Sequence, residues 1–207
     1  MKRFAPLLAL FAFIAPSLVA AQTPEVIAGL QVIAERQYAA ETTGTLDTTQ
    51  DAVYLASARV YLFDNEESAK PVWETLIAVE AIENDLGDAA GDTIVRDDLE
   101  DIGDQAVAIS VAVDLQDNQS AVYRTVVTQR GAMIVTVTVI AGSEDSAGIV
   151  DTIAAAMIAR DPTTAIAKYD GNGNSTGGVW DVFLPKDAEE LTGITAYLDK
   201  ETRPAGN

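Results

Sequence analysis

QAVAISVAVD (residues 105–114), AVYRTVVTQR (121–130) and AMIVTVTVI (132–140) follow one another along the chain, separated only by short turn-forming segments. Each stretch is rich in β-branched residues that recur with a period of two, which predicts strands. Asp117-Asn118 marks a turn after the first stretch, and Gly131 permits a tight reversal after the second. Consecutive strands joined by short turns pair antiparallel, so the sequence predicts an antiparallel meander.

The segments around this meander predict two or three helices and further strands, of which Thr93–Val95 begins a short one. Apolar residues recur at helical spacing in Thr23–Ala40, in Glu66–Asn84 and again after the capping residue Ser143. In the second helix, a start near Ser68 would place Pro71 in the first turn, where proline is tolerated. Val53–Leu62 alternates as a strand. The predicted fold class is therefore α+β, an antiparallel sheet with its two or three helices packed on one face.

Residues 1–21 have the three parts of a cleavable signal peptide. Lys2 and Arg3 are followed by the almost wholly apolar run Phe4–Ala15, and Val19 and Ala21 are the small residues expected before a cleavage point. The apolar run is shorter than the ~20 residues that a membrane-spanning helix needs. We therefore expect export, cleavage near Gln22, and a periplasmic or extracellular protein that is not held in the membrane after cleavage.

The mature chain divides at a change in composition near residue 165. We expect residues 22–165 to form the α+β domain and residues 166–207 to form a C-terminal appendage. Within the appendage, Lys168–Gly178 is rich in glycine and asparagine, Val179–Leu184 alternates like an edge strand, and Asp187–Tyr197 has the pattern of a short helix. The last residues, Glu201–Asn207, are expected to fray.

The charge of the chain excludes some functions. The formal net charge is −19, from 13 basic and 32 acidic residues. Such a surface repels the phosphates of nucleic acids and of anionic membranes, so neither is an expected partner. The alternatives that remain open are a solvated acidic coat, a bound cation and a basic partner.

The chain contains no histidine and no cysteine. The commonest general base, the usual nitrogen ligand of zinc, thiolate nucleophiles and the Ser-His-Asp triad are therefore all absent. Carboxylate chemistry and oxygen-ligated calcium remain available.

One short motif resembles the beginning of a calcium-binding loop. Asp170, Asn172 and Asn174 occupy its first, third and fifth positions, and Asp181 falls at the twelfth. The motif is incomplete, because Ser175 stands where such a loop needs glycine and the twelfth residue is aspartate instead of glutamate. The alternative is a loop of turn-forming residues without an ion. No other cofactor is implied.

Two further groups of residues are candidate sites. The segment Asp97–Asp104 carries five carboxylates, which either form a solvated turn or raise one another's pKa for catalysis. Trp73 lies at helical spacing and is predicted to belong to the core, whereas Trp180, beside glycines, is equally suited to the core and to a sugar or lipid pocket.

The layout of residues 52–162 resembles small exported bacterial α+β domains of the lipoprotein and extracytoplasmic sensor type, which have a PsbP-like layout. The features that carry the resemblance are the strand Val53–Phe63, the helix Ser68–Asn84, the Ile102–Ala106 step into a strand, Arg130-Gly131 between strands, and the helix end at Arg160–Pro162. The resemblance implies a domain that binds a ligand or a partner. It does not imply a lipid anchor, because the chain lacks the attachment cysteine.

These observations favour an exported, non-enzymatic domain that binds a small ligand or a protein through a sheet face or the cleft between sheet and helices. A calcium-stabilised secreted protein is the first alternative, and a carboxylate-dependent enzyme is the second.

Overall fold

The computed structural model describes residues 27–39, 52–86, 90–115, 119–160, 165, 168–169, 175–183 and 196–202. The predicted signal peptide lies outside these ranges, as do three of the four predicted calcium ligands. None of the helices in the described ranges is long and apolar enough to cross a membrane.

The described residues form nine strands. Seven of them form one sheet in which every neighbouring pair is antiparallel, and the other two pair with each other. In chain order the strands are β1 (Leu30–Ala39), β2 (Val53–Phe63), β3 (Ala90–Asp98), β4 (Gln105–Leu115), β5 (Gln119–Arg130), β6 (Met133–Ala141), the short pair β7 (Lys168–Tyr169) and β8 (Ser175–Gly177), and β9 (Ala196–Thr202). The main sheet has the order β3-β4-β5-β6-β2-β1-β9, and β7 and β8 pair only with each other.

The helices are α1 (Glu66–Leu76), α2 (Val79–Leu86), α3 (Glu144–Ala147) and α4 (Ile149–Ile158), and a 3-10 helix spans Val179–Val182. Mixed α+β architecture is thus confirmed. The meander is confirmed as well, because β4, β5 and β6 are consecutive neighbours. Gly131, with φ of 54°, is the first residue of the two-residue loop between β5 and β6, a position that requires a residue tolerant of positive φ.

Two separate hydrophobic clusters lie on opposite faces of the sheet. Ala58 and Val60 of β2 join the cluster that contains α3 and α4, on the face that we name the α4 face. Tyr61 and Phe63 of the same strand join the cluster that contains α1 and α2, on the α1–α2 face. The prediction that the helices share one face is therefore wrong. The reason is that β6 is buried at all nine positions, so both faces of the sheet need cover.

Helix α1 begins earlier than predicted. Asn65 is its N-cap, and the Asn65 side-chain oxygen accepts a hydrogen bond from the Ser68 backbone nitrogen at 2.9 Å. Pro71 consequently lies inside the helix and not in its first turn. The structure favours the earlier start because Asn65 satisfies a free backbone donor of the first turn.

The segment predicted as the first helix contains a strand. Its described part forms β1, which pairs with β2 on one side and β9 on the other. Val32 and Ala34 face the α4 face, whereas Leu30 and Ile33 join the α1–α2 face. A strand that buries residues on both faces loses its simple alternation, and its apolar residues then also match helical spacing.

The C-terminal segment differs from the prediction in two places. Val179–Val182 is a 3-10 helix packed into the core of the α4 face, and it is not the predicted edge strand. The edge position beside β1 is taken by β9, which includes Ala196 and Tyr197 from the end of the predicted helix Asp187–Tyr197. The rest of that predicted helix, and residues 203–207, lie outside the described ranges.

Candidate functional site

Only one of the four predicted calcium ligands is described. Asp170, Asn172 and Asn174 lie outside the described ranges. Asp181 lies in the 3-10 helix, is exposed, and its Oδ2 accepts a hydrogen bond from the Gly178 backbone nitrogen at 3.1 Å. Across the described residues, no group of three or more acidic side chains is arranged to hold a metal ion.

The acidic segment Asp97–Asp104 lies at the end of β3 and in the turn to β4. All five carboxylate side chains are exposed. Two of them have contacts. Asp98 Oδ1 lies 3.9 Å from Arg96 Nη2 in an exposed ion pair. Asp104 Oδ2 accepts a hydrogen bond from the Gly131 backbone nitrogen at 2.7 Å, which ties the β3–β4 turn to the β5–β6 turn. Exposed carboxylates lack the burial with which catalytic acids are usually tuned.

The two tryptophans have different environments. Trp73 is 6% exposed and belongs to the core of the α1–α2 face, as predicted. Trp180 is half-buried, and its ring centroid lies 5.2 Å from that of Phe183. The Arg36 guanidinium lies 5.7 Å from the Trp180 ring and 5.2 Å from the Phe183 ring, within cation–π range. These contacts join the 3-10 helix to β1.

A set of charged and polar side chains that the sequence reasoning did not single out lies on the α1–α2 face. We name it the polar row. It crosses the adjacent strands β1, β2, β6 and β5 in two neighbouring rows of paired residues. One row contains Glu35, Arg59 and Thr136, and the other contains Gln37, Ser57, Thr138 and Thr125. Apolar side chains flank it along the strands, including Tyr61 and Ile134 at one end and Leu55 and Ile140 at the other.

An ion pair lies at the centre of the polar row. Glu35 of β1 and Arg59 of β2 are direct register partners, and Arg59 Nη2 lies 2.9 Å from Glu35 Oε2. The two side chains are only 9% and 10% exposed. Arg59 Nη1 also donates to the Tyr61 hydroxyl at 3.2 Å, and Gln37 Nε2 donates to Glu35 Oε1 at 2.6 Å. The strand pairing therefore holds the charged groups in one fixed arrangement.

The surroundings of Arg59 favour its charged form. Burial alone would lower the pKa of Arg59, but the electrostatic interactions and hydrogen bonds with Tyr61 and Glu35 outweigh it and raise the pKa above the ordinary value. Arg59 is therefore a permanent cation, and Glu35 is the acid that faces it.

Several hydrogen-bonding groups of the polar row are not used within the described structure. Arg59 has five N–H donors and donates to two partners. The hydroxyls of Ser57 and Thr136 make no hydrogen bond with any described residue. Thr136 of β6 lies directly opposite Arg59 of β2. Ser57 lies on β2, two residues before Arg59. By contrast, Thr125 and Thr138 bond to each other at 2.9 Å.

The sequence does contain a signal for this site. Arg59 interrupts VYLASARVYLF and Glu35 interrupts LQVIAERQYA, two segments that are otherwise mainly apolar. Charged residues at core positions of a strand are exceptions that call for a reason. Periodicity alone could not show that the two charges meet.

Comparisons with known proteins give no family for this chain. No protein-family profile matches it, and no curated protein matches it. Among solved structures, it is similar to a Pseudomonas aeruginosa protein of unknown function (PA94), with a TM-score of 0.35 and 16% sequence identity over 64% of this chain and 83% of that one. Likeness at this level carries no conclusion about function.

Proposed function

We propose that this protein is an exported, non-enzymatic domain that binds a small polar ligand at the polar row of its α1–α2 face. The observation that carries the proposal is the nearly buried ion pair of Arg59 and Glu35 at the centre of the row, flanked along the strands by apolar side chains. Arg59 also keeps N–H donors that no described residue uses, and Thr136 lies directly opposite it.

Stability alone does not account for this ion pair. Desolvation of two buried charges offsets much of their attraction, and an apolar pair of similar volume often stabilises a core at least as well. Charged and polar groups at this place are therefore better suited to the recognition of a bound molecule than to stability.

Two residues of the row are more exposed than the rest. Gln37 and Ser57 are half-buried, whereas Glu35, Arg59 and Thr136 are buried. A ligand that enters beside Gln37 and Ser57 would reach the inner groups with most of its surface covered, as is usual for small-molecule sites.

The non-enzymatic part of the proposal is supported by the residue types available. The chain has no histidine and no cysteine, and the carboxylates of Asp97–Asp104 are exposed. Export is supported by the signal-peptide pattern of residues 1–21. A net charge of −19 favours a partner that is neither nucleic acid nor an anionic membrane.

The experiment is a ligand search with the mature protein, beginning at Gln22. Native mass spectrometry would detect a molecule retained from the source, and thermal denaturation against a small-molecule library would detect binding, since a ligand of the native state raises Tm. We expect at least one small polar molecule to raise Tm. Turnover of a substrate in a hydrolase panel, lost on replacement of one acid of Asp97–Asp104, would contradict the proposal.

A pair of variants shows whether the ligand binds at the polar row or elsewhere on the protein. The polar-row variant Ser57→Ala should reduce the shift in Tm caused by the ligand. Ser120→Ala is the matched control, because Ser120 is an exposed serine on β5 that makes no hydrogen bond with any described residue. An equal loss in both variants would place binding elsewhere.

A further inference from the structure

Strand β3 lies at one edge of the main sheet, and within the described ranges its only neighbour is β4. The Leu99 backbone nitrogen donates to the Ala106 carbonyl oxygen at 3.0 Å, and the pairing with β4 continues without a shift from Asp98 back to Ile94. Hydrogen-bonded pairs alternate along an antiparallel ladder, so the backbone N–H and C=O groups of Ile94, Arg96 and Asp98 point away from β4. These groups form an edge that another strand can extend.

Val95, in the middle of this edge, is exposed. Among the residues that the structure describes, it is the exposed large hydrophobic residue, with 47% of its surface accessible. Ile94 packs against the cluster of the α1–α2 face, so Val95, the next residue of the strand, lies on the α4 face. Helices α3 and α4 pack over β5 and β6, and Ala112 of β4 is exposed on the same face. The described helices therefore leave the α4 face uncovered around Val95.

Strand β3 lacks two common devices that prevent edge-to-edge pairing. Proteins often protect an edge strand with proline or lysine, or with a bulge that twists the edge away. The segment Ala90–Asp98 contains neither residue type. Its shift in register lies between Ala90 and Ile94, on the N-terminal side of Val95. The stretch around Val95 is thus regular and able to pair.

A second copy of β3 complements this edge in one particular register. Two antiparallel copies are related by a two-fold axis that passes through one residue of each strand. An axis at Arg96 would oppose two arginines, an axis at Asp97 would oppose two aspartates, and an axis at Ile94 would place Val95 opposite the polar Thr93. An axis at Val95 instead opposes the two valines, which shield each other from water.

The remaining pairs of this register are also compatible. Ile94 lies opposite Arg96 of the second copy, and the outward backbone groups of these two residues complete the ladder. Thr93 lies opposite Asp97 of the second copy, where the threonine hydroxyl can donate to the carboxylate. From Thr93 to Asp97, no two like charges lie directly opposite each other.

We infer that β3 pairs with β3 of a second copy of this chain, antiparallel about a two-fold axis at Val95, so that one sheet continues across a dimer. This inference goes beyond the proposed ligand binding, because the polar row lies on β1, β2, β6 and β5 and does not include β3. The contact is short, and each chain carries a net charge of −19. The dimer is therefore weak, and salt strengthens it by screening the repulsion between the two chains.

The test is sedimentation equilibrium of the mature protein, beginning at Gln22, from about 10 μM to about 1 mM in about 20 mM and about 500 mM NaCl. We expect a monomer–dimer equilibrium whose Kd is at least about threefold lower at the higher salt concentration. A protein that remains monomeric at the highest concentration in both salt conditions overturns the inference.

Two lysine variants with the same change in charge locate the contact. Val95→Lys places two ammonium groups opposite each other at the axis, so we expect the Kd to rise at least about tenfold although the net charge becomes less negative. Thr152→Lys is the matched control, because Thr152 is an exposed residue of α4, and it should not weaken the dimer. Circular dichroism of each monomer shows that it is folded. Equal weakening in both variants overturns the assigned surface.

Hydrogen exchange provides a second readout. The amides of Ile94 and Arg96, which point away from β4, should exchange at least about tenfold more slowly in the dimer than in the monomer. The amide of Val95 points towards β4 and should change much less. A dimer that forms without slower exchange at Ile94 and Arg96 is held by another surface and overturns the inference.

Discussion

The Arg124 guanidinium holds the Asp151 carboxylate through two hydrogen bonds, from Nε to Oδ1 at 3.1 Å and from Nη2 to Oδ2 at 2.9 Å. Arg124 lies on β5 and Asp151 on α4, so the pair fastens the helix to the α4 face of the sheet. Arg124 Nη1 donates in addition to the Ser110 hydroxyl of β4 at 2.8 Å. One guanidinium thus links three elements.

Replacing Arg124 should therefore loosen α4. Paired contacts between arginine and carboxylate are stronger than single surface ion pairs, and the Arg124 side chain is mostly buried, so we expect Arg124→Met to lower the free energy of unfolding by about 1–2 kcal/mol. Urea denaturation of Arg124→Met, Asp151→Asn and the double variant measures the interaction. Strictly additive effects would show that the pair contributes nothing of its own.

Removing the acid of the polar row should destabilise the protein more strongly. Glu35→Gln leaves the Arg59 guanidinium buried without its counter-charge, and breaking one partner of a buried pair costs about 3–5 kcal/mol. The control is Glu35→Gln combined with Arg59→Met, which leaves no buried charge and should recover part of the loss. A double variant less stable than Glu35→Gln would contradict this account.

The pH dependence follows from the raised pKa of Arg59. A group whose pKa is higher in the folded protein contributes stability at every pH below its unfolded value and loses it only as the pH rises through the folded pKa. For an arginine both values lie above the range in which proteins are usually handled. Denaturation at pH 6 and pH 9 should therefore give the same contribution from Arg59, and a decline between them would contradict it.

Gly103 lies in the β3–β4 turn and Gly131 in the β5–β6 turn, and the hydrogen bond from Gly131 to Asp104 joins the two turns. Alanine substitutions of the two glycines can be compared directly. Both have positive φ, 70° and 54°. A Cβ at Gly103 would lie 2.5 Å from the Gln129 carbonyl oxygen and 2.6 Å from the Thr128 hydroxyl, whereas one at Gly131 meets nothing within 4 Å. We expect Gly131→Ala to cost about 1–2 kcal/mol from the backbone alone and Gly103→Ala clearly more. Equal losses in thermal denaturation would show that the close approach does not matter.

The calcium hypothesis can be tested at Asp181, the one predicted calcium ligand that the structure describes. Asp181→Asn keeps an oxygen for the Gly178 backbone N–H but removes the negative charge. We expect millimolar calcium to leave the Tm of both proteins unchanged, because Ser175 replaces the glycine of a calcium loop and Asp181 already bonds to its own turn. A rise in Tm that is smaller in Asp181→Asn would establish a calcium site instead.

The meander and two of the helices could be predicted from the sequence because their signals are local. The alternation in Ala132–Ile140, the loop glycine Gly131 and the capping residue Ser143 each act within a few residues of the element that they define. The sequence predicts a helix where the N-terminal strand lies, because both faces of that strand are buried and its sequence does not alternate. The burial of both faces of the sheet likewise hides from local patterns that helices cover each of them.

The sequence by itself determined the sheet-forming stretches, the acidic charge and the absence of histidine and cysteine, since all of these are properties of residues and their near neighbours. Only the tertiary structure brought Glu35 and Arg59, 24 positions apart, into contact and placed Thr136 opposite them. The physical reason is strand register. A shift of one residue in the pairing of β1 with β2 would turn these side chains to different faces, and no local pattern encodes which register is adopted.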